Sequence, residues 1–268
     1  ILLRLIQVLI SILLLFCGFE VWSLVIANYC FFSISILVYL FYIYKFGGKI
    51  NLKYFSLITL KEVLSYGSQI FISKIVQKFF IDELIKIFLT KYYGLDVVGS
   101  FDIAFKMIRL VRSFFDHTMK PAINEVTKIV KKSPQKANKF VLSLQKKIIL
   151  PIVPFIILLI FFAEFLFKFW LGNGYNDLIL IFFRILMIAY IINLFAIPAY
   201  NGLLGGGFSK EIIISTAISI IIMLLGIIFI TSIKKNVSNL DPIILYAFMI
   251  SINSTYLIYI FNKKVNTQ

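Results

Sequence analysis

Apolar residues run along this chain for about 20 positions at a time, and each run closes on a short polar or glycine-bearing interruption. At 1.5 Å per residue, a helix of that length crosses a hydrocarbon core roughly 30 Å thick. About eight runs meet this requirement: residues 1–19, 21–44, 64–90, 97–121, 142–170, 178–204, 212–232 and 242–261. The connections leave no room for a soluble domain. The pattern therefore predicts an all-α integral membrane protein, a polytopic helical bundle of about eight transmembrane helices. Runs three and four carry charges that a hydropathy window penalises.

Two flanking segments are patterned differently. INLKYFSLITLKEV (50–63) predicts an amphipathic lead-in lying at the membrane surface before run three. NEVTKIVKKSPQKANKF (124–140) predicts a helical extension of run four with a polar turn at Ser133 and Pro134. Pro151, Pro154 and Pro198 stand inside apolar surroundings, where each removes a backbone hydrogen bond and favours a kink.

Composition supports the membrane assignment: 61% of residues are hydrophobic, 29 are Phe, 15% are charged, and the mean hydropathy is +0.98. Soluble globular domains do not reach such values. A formal net charge of +15 raises the question of nucleic acid, but the basic residues are sorted by loop. Arg4, Lys45, Lys49, Lys53, Lys61, the lysines between Lys120 and Lys147, Lys210, Lys263 and Lys264 fall on one side of the alternating runs. Lys91, Lys168, Lys234 and Lys235 fall on the other. The positive-inside bias then places both ends and the two longest loops in the cytoplasm, against anionic membrane lipids, and leaves no nucleic-acid surface. Cys17 and Cys30 sit at different depths of neighbouring runs and predict small buried residues, not a disulfide. With a single histidine there is no Cys/His metal cluster, and no metal or cofactor is predicted.

Candidate chemistry lies in the charged runs. At 100° per residue, Asp102, Lys106, Arg109, Arg112, Asp116 and Lys120 share an arc of about 120° and extend over about 27 Å of helix. In run three, Lys74, Lys78, Asp82 and Lys86 repeat every fourth residue. A charge at the bilayer centre costs about 3 kcal/mol on insertion scales, so neither stripe is expected to face lipid. Pairing along each helix, Lys78 with Asp82 and Lys106 with Asp102, neutralises part of the excess. It leaves Arg109, Arg112 and Lys74 without evident partners, which predicts a hydrated cationic cavity for an anionic, phosphate-bearing substrate. Arg184 either snorkels to the membrane surface or joins that cavity. His117, beside Asp116, is a candidate for proton coupling, because imidazole changes charge within the physiological pH range; an interfacial histidine without that duty is the alternative.

The stretch IDELIKIFLTKYYGLDVVGSFDIAFKMIRL (81–110) resembles a signature of the oligosaccharide-lipid flippases that serve O-antigen and capsular polysaccharide synthesis. These belong to the multidrug/oligosaccharidyl-lipid/polysaccharide exporter superfamily. Matching positions are Asp82, Gly94, Gly99, Phe101 and Ala104, with a basic residue at Lys106. Pro121 sits where the family often ends a helix with proline, and FFAEFLFKFWLGNGY (161–175) and GLLGGGFSK (202–210) resemble two further segments. The likeness covers about 60–268, and the first two runs only by hydropathy. It implies two bundles of six helices around a central cavity, with residues 1–62 ending the first lobe and 63–268 forming the second; about four leading helices are expected to be missing.

By that resemblance the expected function is non-enzymatic: a transporter that moves a polyprenyl-pyrophosphate-linked oligosaccharide across the bacterial cytoplasmic membrane by alternating access. Lys74, Lys78, Lys106, Arg109, Arg112, Lys120 and Arg184 are the candidates for substrate binding. Asp82, Asp102, Asp116 and His117 are candidates for coupling to a proton or sodium gradient, Asp82 before His117. Expected partners are the lipid-linked oligosaccharide, membrane lipids and other polysaccharide assembly proteins. A cation-coupled multidrug exporter of the same superfamily is the first alternative, though its cavity calls for acidic and aromatic groups. A membrane polysaccharide polymerase would need a large outer loop for catalytic residues, and a non-transporting subunit would not need the buried stripes.

Overall fold

The computed structural model describes residues 2–46, 56–76, 82–233 and 238–266, and helices account for nearly all of them. No strand occurs among the described residues. The helices are α1 (Leu2–Phe16), α2 (Glu20–Phe46), α3 (Leu57–Val76), α4 (Leu84–Tyr93), α5 (Leu95–Lys132), α6 (Pro134–Leu144), α7 (Val153–Leu171), α8 (Asp177–Gly205), α9 (Ser209–Ile233) and α10 (Asp241–Asn266). The protein is an all-α polytopic membrane protein. Five helical stretches among the described residues are long and apolar enough to cross a bilayer: Glu20–Phe46, Lys136–Gly174, Asp177–Gly205, Ser209–Ser232 and Asp241–Lys264.

Three of the eight expected spans fall short of that standard for separate reasons. The apolar part of α1 is short, Ile6–Phe16. Run three is helical on both sides of residues 77–81, which lie outside the described residues, with a π-type turn at Asp82 and Glu83. α5 has ample length at 38 residues, but its charges lower its hydropathy. The surface helix expected over 50–63 is described only from residue 56, and its helical part continues directly into α3.

The chain divides into two compact units, Ile1–Lys61 and Glu62–Gln268. In the first, α1 and α2 form a helical hairpin. The small residues Ser23, Ala27 and Ser35 of α2 are buried, letting backbones approach closely in a setting where lipid supplies no hydrophobic drive between helices. Gln7 Nε2 donates to Asn28 Oδ1 at 2.7 Å, tying the pair together. Phe16 and Tyr44, at 87% and 88% exposed, show how apolar the outer surface is.

In the second unit α8 is the central helix, packed against α5, α7, α9 and α10. Its burial is nearly all-round, from Ile179 and Leu180 through Phe182, Phe183 and Leu186 to Leu203, as befits a helix hydrophobic on every face. An aromatic cluster locks it to α5 and α10: Phe101 stacks on Phe105 at 5.4 Å, and Phe105 meets Tyr246 at 5.8 Å and Tyr190 at 6.2 Å. Gly205 lets α8 touch α5, since a Cβ there would run into Thr127.

The turns follow local chemistry. Gly94, at φ 86°, separates α4 from α5 with a backbone conformation that side chains disfavour. The expected break at Ser133 is present: that residue is extended (φ −159°, ψ 91°), and α6 starts on Pro134, a first-turn position that suits proline. Pro121 does not end a helix as the family likeness implied. α5 passes through it to Lys132, because one missing donor is tolerated when long flanking segments hold the register.

Pro151 lies in a short 3-10 turn that follows a π-turn over Gln145–Ile149, so the segment leading into α7 is irregular at the expected place. Pro198 is inside α8. A proline weakens the backbone bonds made by the carbonyls three and four residues before it. Gln145 Nε2 donates to one of these, the Phe195 carbonyl, at 2.8 Å. The π-turn therefore supplies a side-chain donor to α8 beside its proline.

Candidate functional site

The charged face of α5 divides into three environments. Near its N-terminal end Asp102 accepts from Lys86 of α4 at 3.0 Å, and Lys86 also reaches Glu83 at 3.4 Å. The partner of Asp102 is therefore across the helix interface and not Lys106, one turn along. Lys86 is only 19% exposed, so this pair is screened less than a surface ion pair.

Lys106 and Arg109 come next and are exposed. They lie about 17 and 21 Å along α5 from Leu95. With Leu110, Ser113 and Trp170 they line an open groove of about 410 Å³. The Arg109 guanidinium stacks over the Phe105 ring at 4.7 Å, a cation–π contact that orients it without neutralising it. Among the described residues neither Lys106 nor Arg109 has a carboxylate partner in an ion pair.

Arg112 and Asp116 turn the other way. Their side chains are half-buried and 3.7 Å apart, so Arg112, expected without a partner, has one. Both line a second cavity of about 400 Å³, walled also by Asn193 and Asn201 of α8, Ser215 of α9 and Asn253 of α10. Asn193 Nδ2 donates to Ser254 Oγ at 2.9 Å, and Ser215 donates to Asn253 across α9 and α10. Two buried polar atoms on this wall have no hydrogen-bond partner, Arg112 Nε and Asn193 Oδ1.

A buried polar chain leads to the same arginine. Tyr246, fully buried on α10, donates to Asp82 Oδ1 at 2.9 Å. Tyr246 in turn meets Tyr190, and Tyr190 meets Arg112. Asp82 is thus held by α10; its expected partner Lys78 lies outside the described residues, as does the question of whether Lys78 and Arg109 face one space. Lys74 is on α3 and Lys120 on α5, with side chains outside the described set. His117 is exposed on α5 and makes contacts of its own. Arg184 lines neither cavity and lies near Glu164 of α7, which pairs with Lys168 at 2.7 Å.

Sequence reasoning missed the cavity wall and both tyrosines. The available signal was amides and hydroxyls recurring on one side of otherwise apolar helices: Asn193 and Asn201 two turns apart, Ser215 and Ser219 one turn apart, and Asn253 beside Ser254.

The family described as polysaccharide biosynthesis protein matches residues 1–180. The chain belongs to this family. A role in polysaccharide synthesis or export follows from that membership. The family match includes α1 and α2, which the sequence likeness reached only by hydropathy, and contains the whole charged face of α5 and Trp170. Asn193, Asn201, Ser215 and Asn253 lie beyond the matched stretch. No curated protein matches the chain significantly.

Proposed function

We propose that this polysaccharide biosynthesis family member is a flippase that carries a polyprenyl-pyrophosphate-linked oligosaccharide across the bacterial cytoplasmic membrane by alternating access. The carrying observation is the pair Lys106 and Arg109, exposed in one groove with no neutralising carboxylate among the described residues, on a helix that this reading takes as a span. Lipid is a poor surrounding for them, at about 3 kcal/mol per charge on insertion scales, so an aqueous passage is the physical alternative. Two adjacent cations suit a pyrophosphate: guanidinium offers paired donors to phosphate oxygens, and ammonium adds a compact charge. Trp170 on the groove's rim offers an amphipathic ring at the boundary between water and lipid.

In this reading residues 1–62 belong to one lobe of the carrier and residues 63–268 form another. The lipid tail stays in the bilayer while the head group crosses. Asp82, held by Tyr246, is the coupling candidate. Both chain ends are cytoplasmic, and the chain performs no covalent chemistry. A carrier of cationic drugs would want carboxylates where the groove presents Lys106 and Arg109.

The test is charge reversal. Arg109→Glu or Lys106→Glu should remove surface polysaccharide, and lipid-linked repeat units should accumulate on the cytoplasmic face while the protein's membrane level is unchanged. Wild-type polymer on the surface of both variants would refute the proposal.

A further inference from the structure

The second cavity has properties that the pyrophosphate groove does not explain. Among the described residues its charges balance, Arg112 against Asp116, so they give no reason for it to attract an ion of either sign. The remaining polar wall is amide and hydroxyl, with Asn193, Asn201, Ser215 and Asn253 facing one space of about 400 Å³. Polar residues that merely fasten transmembrane helices bring them into contact. Here the pairs Asn193 with Ser254 and Ser215 with Asn253 border a void instead. The wall also keeps an unspent acceptor at Asn193 Oδ1. Buried groups of this sort are satisfied by a ligand or by water. Asn201 is buried and faces the same space.

A ligand that fits is neutral, small and rich in hydroxyls that donate and accept at once. We infer that this cavity, walled by α5, α8, α9 and α10, binds a single sugar ring, a site separate from the Lys106–Arg109 groove. Amide side chains suit adjacent hydroxyls because each carries a donor and an acceptor on one planar group. Ile197 and Leu257 supply apolar wall for the ring's C–H faces. The volume lies near the lower end of the ordinary range for small-molecule sites, about 300–1,000 Å³, which admits one ring with bound water and excludes a longer oligosaccharide. The biological identity of that ring, as part of the carried chain, rests on the flippase reading; the site itself rests on the cavity.

The experiment uses the full chain in lipid nanodiscs and saturation-transfer NMR with three probes: glucose, galactose and N-acetylglucosamine. At least one should receive saturation on its ring protons, with binding roughly tenfold weaker in Asn201→Leu and in Asn253→Leu. These two changes keep the branching and heavy-atom count of the side chain, and an unchanged thermal melt identifies whichever variant folds normally. No transfer to any probe, or equal transfer in wild type and a normally folded variant, overturns the site. Arg109→Glu separates the two readings. Retained sugar binding with normal surface polysaccharide in that variant upholds the site and removes the flippase. Lost polysaccharide, with no sugar transfer in wild type, removes the site and keeps the flippase.

Discussion

One helix, α5, carries two charged regions a single turn apart, and their surroundings are opposite. Lys106 and Arg109 stand exposed on a groove without counter-charge, whereas Arg112 and Asp116 neutralise each other at the edge of a polar cavity. The difference comes from position on the helix. The buried face of α5 is set by Phe101, Phe105, Ile108, Phe115 and Met119. At about 100° per residue Arg112 falls within that face and Asp116 about 20° past its edge, whereas Arg109 is about 40° past the edge and Lys106 well away from it. A few tens of degrees therefore decide whether a cation meets a protein partner or an open passage. Excess charge marks the region suited to an anion, and balanced charge with amides marks the region suited to a neutral ligand.

The largest effect should come from moving the charge defect between the regions. Glutamate at Arg109 places a repelling charge where a phosphate is to bind and removes a charge-assisted contact, so surface polysaccharide should fall at least tenfold. Glutamate at Arg112 sets two carboxylates together and should chiefly lower membrane abundance. Equal phenotypes from the two, read as polymer per unit of membrane protein, would erase the distinction.

Next in size is Tyr246→Phe. It leaves Asp82 without its 2.9 Å donor in a buried setting, which should destabilise the second unit by about 1–3 kcal/mol. A thermal melt of the purified protein measures this, and an unchanged midpoint would show that Asp82 is satisfied some other way. Labelling of the Lys106 groove should not change, because no part of the tyrosine chain lines it.

Smallest is the coupling between Arg112 and Asp116. Half exposure and a 3.7 Å separation suggest a double-mutant interaction of about 0.5 kcal/mol. A coupling near 3 kcal/mol would mean that the pair is enclosed and that the cavity is drier than its amides suggest.

How much of this was legible beforehand follows from what each signal measures. Hydropathy located the helices, because a crossing segment must be apolar wherever it meets lipid, and Ser133–Pro134 marked the break after α5. Charges in α5 stood out against Phe and Ile, so the candidate face was visible. Partner choice was not. Intrahelical spacing offers Lys106 to Asp102, and only the packing of α4 on α5 reveals Lys86. Likewise Arg112 falls within the packed face, and its neighbours there are known only with α8 in place. The cavity wall escaped because isolated Asn and Ser residues hardly lower the mean of a long apolar window, and their convergence depends on three helices meeting. Pro121 misled for a related reason: proline lowers the odds of a helix continuing, but a long helix absorbs it.

The most direct test is aqueous accessibility of α5 in the membrane. In a background lacking Cys17 and Cys30, single cysteines at 106, 109 and 113 should react with a charged, membrane-impermeant thiol reagent, whereas cysteines at 101, 105 and 108 should be protected. Protection at 106 and 109 equal to that at 105 would contradict the account, because the two cations would then face a dry surface and no water-filled passage.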